Sequence, residues 1–137
     1  MRVALAALCL AACSKGAAST ETRSTRFATA KERITFLRDY VAFPSEPKDV
    51  AWHLYEIEAG TAVHAIVKID PADAHLWSMG CGDFVGEARP KWVPELLTGT
   101  GWTLKSIPDT WSCGREKRAI HVKEGIVVRA TLVPKLD

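Results

Sequence analysis

No run of this 137-residue chain is apolar for long enough to cross a bilayer. The segment Val3 to Ala12 is free of polar residues apart from the Cys9 thiol, yet at 1.5 Å per residue it covers only about 15 Å, about half of a hydrocarbon core. Cysteine is scarce, with four in the chain and none in a Cys-x-x-Cys pair. That excludes the common dithiol redox motif and a zinc site of paired thiolates, and no histidine stands near Cys81 or Cys113 in sequence. There is no Gly-x-Ser-x-Gly, no His-Glu-x-x-His and no glycine loop of the phosphate-cradling kind. Neither Ser45 nor Ser78 has a neighbouring base, so no catalytic residue, metal ligand set or cofactor is nominated. Charge of one sign is not massed either: 18 Lys and Arg face 16 Asp and Glu, a net charge of +2, scattered along the chain. Neither a nucleic-acid footprint nor a polybasic membrane patch is visible. Asp83 and the Arg115-Glu-Lys-Arg118 cluster read as solvated loop charges.

What is there begins at the N-terminus. One positive charge, Arg2, precedes the short apolar run, which is the layout of an export signal. The run ends in Leu10-Ala11-Ala12-Cys13, a bulky aliphatic followed by two small residues and a cysteine. This resembles the lipobox of bacterial lipoproteins. The resemblance implies cleavage before Cys13, a diacylglycerol on its thiol and acylation of the new amine. Cys9 is a poor rival because bulky Leu8 precedes it. Two or more acyl chains anchor stably at about 0.8 kcal/mol per buried methylene, so the expected mature protein is tethered to a bilayer and does not span it. Ser14, where an Asp would be the retention signal of the inner membrane, points to the outer membrane, facing the periplasm. Residues 1–12 are therefore expected to be a signal peptide and 13–26 a lipidated, flexible tether poor in large apolar residues. Residues 27–137 remain for a single domain.

Once Cys9 is removed and Cys13 acylated, Cys81 and Cys113 are left, both beside glycines. In an oxidising compartment they are expected to pair. The bridge would close a loop of 33 residues, a constraint on the unfolded chain worth about 3.5 to 4 kcal/mol.

Phe27, Ile34, Leu37 and Val41 recur at helical spacing, and the prolines at 44 and 47 end that segment. From Val50 the period changes to two. A turn centred on Ala59-Gly60 would place Val50, Trp52 and Leu54 on one face with Val63, Ala65, Val67 and Ile69. His53, Tyr55, Ile57, His64, Ile66 and Lys68 would form the other face. Asp70 and Pro71 are suited to open a short helix that Gly80 would close, with Asp73 placed for a capping box and Leu76 and Met79 sharing a face. Residues 82–112 read mostly as loop or short strand, with a helix from Pro94 to Leu97. Lys117 to Lys123 and Ile126 to Val133, separated by Glu124-Gly125, read as a second hairpin. The expected class is α+β: a small antiparallel sheet of two hairpins, disulfide-bonded, with one or two helices on one face.

Two groups of side chains invite a functional reading. His53 and His64 would be diagonal neighbours on the first hairpin, but two imidazoles are too few to define a metal site. Trp92, Trp102 and Trp111, three of five tryptophans, fall in loop regions, where indoles form a candidate binding surface for a glycan or protein. The expected function is that of a noncatalytic, membrane-anchored envelope lipoprotein. Its partners would be the bilayer, through acylated Cys13, and an envelope protein or polymer, with nucleic acid excluded by export. The alternative is a periplasmic inhibitor or immunity protein directed at a hydrolase or toxin.

Overall fold

The computed structural model describes residues 21–86 and 89–135. The expected signal segment and Cys13 lie outside these residues. Seven antiparallel strands form one sheet: β1 (Glu21–Arg23), β2 (Asp49–Ile57), β3 (Gly60–Lys68), β4 (Gly82–Asp83), β5 (Asp109–Cys113), β6 (Glu116–His121) and β7 (Ile126–Pro134). Their spatial order is β1-β2-β3-β7-β6-β5-β4. Both expected hairpins are present, β2–β3 and β6–β7, but they are the centre of a larger sheet. The long strands β3 and β7 pair along their whole length and join the two hairpins. The shortest strands occupy the edges.

The first hairpin turns at Glu58-Ala59, one residue earlier than its sequence suggests, because Ile57 pairs with Gly60. The turn residue expected of Gly60 is needed for a different reason. It opens β3 with φ near 152°, and a Cβ there would lie 2.1 Å from the Val133 carbonyl oxygen on β7. Moving the turn by one residue shifts the pairing by two, so every side chain stays on its expected face. Val50 opposes Val67, Trp52 opposes Ala65 and Leu54 opposes Val63.

On that face lies α1 (Ala30–Arg38), opened by a capping box in which Thr29 and Glu32 each accept the other's backbone N–H. Ile34 and Leu37 are buried against the sheet, and Phe36 stacks on Trp52 with ring centroids 4.9 Å apart. The segment after β3 folds as a 3-10 helix, Pro71–Trp77, with Asp70 accepting the Ala72 N–H. Its buried residues are Ala74 and Trp77, whereas Met79, expected to share a face with Leu76, is 67% exposed. Ala74 and Trp77, three apart, eclipse on the inward side of the 3-10 turn, Leu76 packs at the core's margin, and Met79 lies beyond the end of the helix. The Cys81–Cys113 disulfide joins the end of this helix to the end of β5, with Cα atoms 4.5 Å apart.

The opposite face is covered as well, which corrects the expectation that helices sit on one face only. Ala51, Ile66, Ala119, Ile126 and Val128 make an apolar patch there, and Val93 and Leu96 of α2 (Trp92–Leu97), with Leu104, bury it. A sheet apolar on both sides at its centre needs a cover on each. Residues 21–26, expected to belong to the tether, are part of the fold. Glu21–Arg23 pairs with β2, and Ser24–Arg26 forms a 3-10 turn with Ser24 buried. These residues have little apolar surface to bury, so it is backbone pairing with the free edge of β2 that orders them.

Candidate functional site

β1 pairs only with His53, Leu54 and Tyr55, so among the described residues the edge of β2 from Asp49 to Trp52 has no strand beside it. The chain turns away at Ser24, and a cleft of about 290 Å³ opens between that turn, the first half of α1 and the C-terminal end of α2. Two ion pairs line it. Arg33 grips Asp49 with two parallel bonds of 3.0 Å, Nε to Oδ1 and Nη2 to Oδ2, and donates its Nη1 to the Phe27 carbonyl. Arg23 donates Nη1 to Glu95 Oε1 at 3.1 Å and Nε to Glu21 Oε1 at 3.0 Å. The first pair is bidentate and largely shielded; the second is open to water.

The electrostatics favour the charged forms of Arg23 and Glu21. Burial pulls the Arg23 guanidinium down, but its hydrogen bonds to Glu95 and Glu21 outweigh that and raise it. The Glu21 carboxyl is lowered, chiefly by the hydrogen bond from Arg23. The rest of the lining is neutral: hydroxyls of Thr25, Thr98 and Thr100, the Leu96 side chain, and the half-buried indole of Trp102.

The outward donors of the β2 edge are already used. Trp52 N–H donates to Ser24 Oγ at 2.9 Å, and Val50 N–H donates to Asp49 Oδ1 at 2.7 Å. A strand laid on this edge would have to displace a buried serine and a carboxylate held by Arg33. The cleft therefore presents side chains, not free ladder donors.

The three loop tryptophans do not share a platform. Trp92 and Trp102 pack against the patch under α2, and Trp111 packs on the opposite face. Residues two apart on a strand share a face, which puts Trp111 of β5 beside Cys113, away from α2. Of the three, only Trp102 lines the cleft. His53 and His64 are direct partners across β2 and β3, a consequence of the earlier turn. They belong to an aromatic row in which Trp92 stacks on His64 at 4.4 Å and Tyr55 sits between the two imidazoles. His53 Nε2 is 3.2 Å from Glu21 Oε1, at ionic distance but out of hydrogen-bond alignment. Burial first, and then the neighbouring His53, lower the pKa of His64. Among the described residues no three His, Cys, Asp or Glu gather as a metal site would require.

Sequence reasoning missed Arg23, Arg33, Asp49, Glu95 and Thr98. Arg23 lay inside the expected tether, and the other four are ordinary surface residue types until the fold brings them together. The capping box of Thr29 and Glu32 was a usable signal for where α1 begins, and hence for which side Arg33 faces. Compared with known proteins, the chain matches no family model, no curated protein and no solved structure.

Proposed function

We propose that this chain is a noncatalytic binding protein of the bacterial cell envelope, anchored through acylated Cys13, and that it takes a protein or polymer partner of the envelope in the cleft beside β2. The cleft carries the reading. It is a concave site with several convergent polar groups and one aromatic side chain, the usual composition of a binding site, and its charges are tied to one another rather than arranged as nucleophile and base. The Cys81–Cys113 bridge supports an exported destination, because such bonds persist in oxidising compartments. The lipobox residues supply the anchor.

The test is affinity isolation of the tagged full-length protein from its own envelope, with mass spectrometry of both the partners and the N-terminal peptide. A diacylated or triacylated Cys13, with an envelope component whose capture is lost in Thr98→Arg, is the expected result. An intact N-terminus starting at Met1 would overturn the anchor. Capture unaffected by Thr98→Arg would remove the cleft from the proposal, and one dominant hydrolase or toxin among the partners would favour the inhibitor reading instead.

A further inference from the structure

We propose that the ligand of the cleft is a neutral oligosaccharide, gripped at Trp102 and hydrogen-bonded by the Arg23–Glu95 and Arg33–Asp49 pairs. This rests on the reading of the cleft as the binding site and names the class of molecule it binds.

Three observations narrow the class. An extended peptide is disfavoured because the edge donors it would use, the amides of Val50 and Trp52, are occupied by Asp49 Oδ1 and Ser24 Oγ. A strongly charged ligand is disfavoured because each guanidinium in the cleft already faces a carboxylate. An anion would have to compete with Asp49 or Glu95, and a cation with Arg33 or Arg23. What survives is a ligand without net charge that is rich in hydrogen-bonding groups.

The cleft suits such a molecule in detail. A guanidinium carries five N–H donors and a carboxylate about four acceptor positions, so one bond between Arg23 and Glu95 leaves both groups with capacity to spare. A donor and an acceptor held side by side match the adjacent hydroxyls of a sugar ring, each of which both gives and accepts. Because the two pairs are already formed, the side chains lose little freedom when the ligand arrives. Thr98 and Thr100 add acceptor lone pairs on the α2 side, their hydroxyl protons being donated to the Pro94 and Leu97 carbonyls. The indole face of Trp102 is electron-rich, and the C–H face of a pyranose is the apolar, weakly positive surface that stacks on it. At about 290 Å³ the cleft is at the small end of ligand sites. It is open along the sheet edge and grips a short stretch of a longer chain.

The experiment is a two-dimensional NMR titration of the isotope-labelled exported domain with triacetylchitotriose and, separately, cellotriose, repeated at low and high salt and on Thr98→Arg. Thr98 is exposed, so this change fills the cleft without touching the core. The expected result is movement of the Trp102 indole N–H and the Thr98 and Thr100 amides, with a submillimolar to millimolar Kd that salt barely alters. Thr98→Arg should weaken binding by about tenfold or more while keeping the remaining spectrum native. No shift at these residues with either sugar at about 10 mM, a level that detects even very weak binding, would overturn the inference. So would salt-sensitive binding of a polyuronate at the same residues in preference to the neutral sugars. If both sugars fail while envelope capture still depends on Thr98, the neutral-glycan inference falls and the proposed function stands.

Discussion

The two faces of the sheet are built on different terms. On the α1 face lie Trp52 and Trp77, both fully buried, and the aromatic stack of Phe27, Phe36 and Trp52. The same face holds the ion pair Arg129–Glu116 at 2.7 Å, with both residues nearly excluded from water. Arg129 lies about 5.3 Å from the Trp77 ring centroid and 5.4 Å from that of Phe43, and Arg118 donates to the Trp77 carbonyl at 2.6 Å. Burial alone would raise the Glu116 carboxyl, but Arg129 beside it holds it below the usual carboxylate range. The α2 face buries smaller residues, Ala51, Ile66, Ala119 and Val128, under a six-residue helix and a loop. Its margins are lined with histidines, threonines and paired charges. One face fixes the fold, and the other leaves polar groups at its rim with hydrogen-bonding capacity to spare. The cleft lies where the second face meets the sheet edge, supported from behind by the first.

The sharpest way to break this contrast is to remove a tryptophan from each side. Trp52→Ala deletes a fully buried ring, its stack with Phe36 and the indole hydrogen bond to the Arg33 carbonyl, and should cost about 4 kcal/mol in a denaturant titration. Trp102→Ala, at a half-buried position, should cost only about 1 to 2 kcal/mol. Similar losses would mean that the α2 face is as structural as the other.

The disulfide ranks next. Cys81→Ser and Cys113→Ser should each destabilise by up to about 3.5 to 4 kcal/mol and by equal amounts, with the double variant no worse than either single one. Unequal thermal shifts would show that one cysteine matters for something other than the bridge.

The smallest effect should belong to Glu124, at the open end of the sheet. Its carboxylate accepts the Ser106 hydroxyl and the backbone N–H groups of Lys105 and Ser106, which lower its pKa from 4.5 to about 2. A carboxyl lowered by folding stabilises the fold above its unfolded pKa and loses that contribution as pH falls. Acid should therefore loosen the 104–106 loop between about pH 4.5 and 2. Glu124→Gln should flatten that part of the stability profile while leaving Trp52 fluorescence native. An unchanged profile would show that other carboxyls control acid sensitivity.

Much of the framework was legible in the residues. Alternation from Val50 to Ile69 identified a hairpin and assigned its faces even though its turn lies one residue earlier, because strand periodicity tolerates a shift of two. Cys81 and Cys113 pair, as their being the two cysteines left over in an oxidising compartment suggested. The outer strands were not legible. Glu21-Thr-Arg23 and Asp109-Thr-Trp-Ser-Cys113 carry no alternating apolar pattern, and they are strands because a neighbour offers unpaired backbone groups. The cleft was hidden for the same reason. Arg23, Arg33, Asp49 and Glu95 are spread over more than seventy positions in sequence, and no spacing rule joins them. Trp102 was noticed for its residue type; the sheet's two-sidedness separates it from Trp111, while Trp92 shares its face but stacks on His64 outside the cleft.

The strand β1 also acts as a ruler. It enters the sheet at Glu21 and ends at Arg23, on the wall of the cleft. Glu21 is only eight residue steps beyond Cys13, and a chain of that length reaches at most about 28 Å. For a protein held by lipid on Cys13, this leash fixes an altitude. On the proposed lipid anchor, the cleft would sweep only a thin layer above the bilayer, and a ligand would have to come down into that layer to be met.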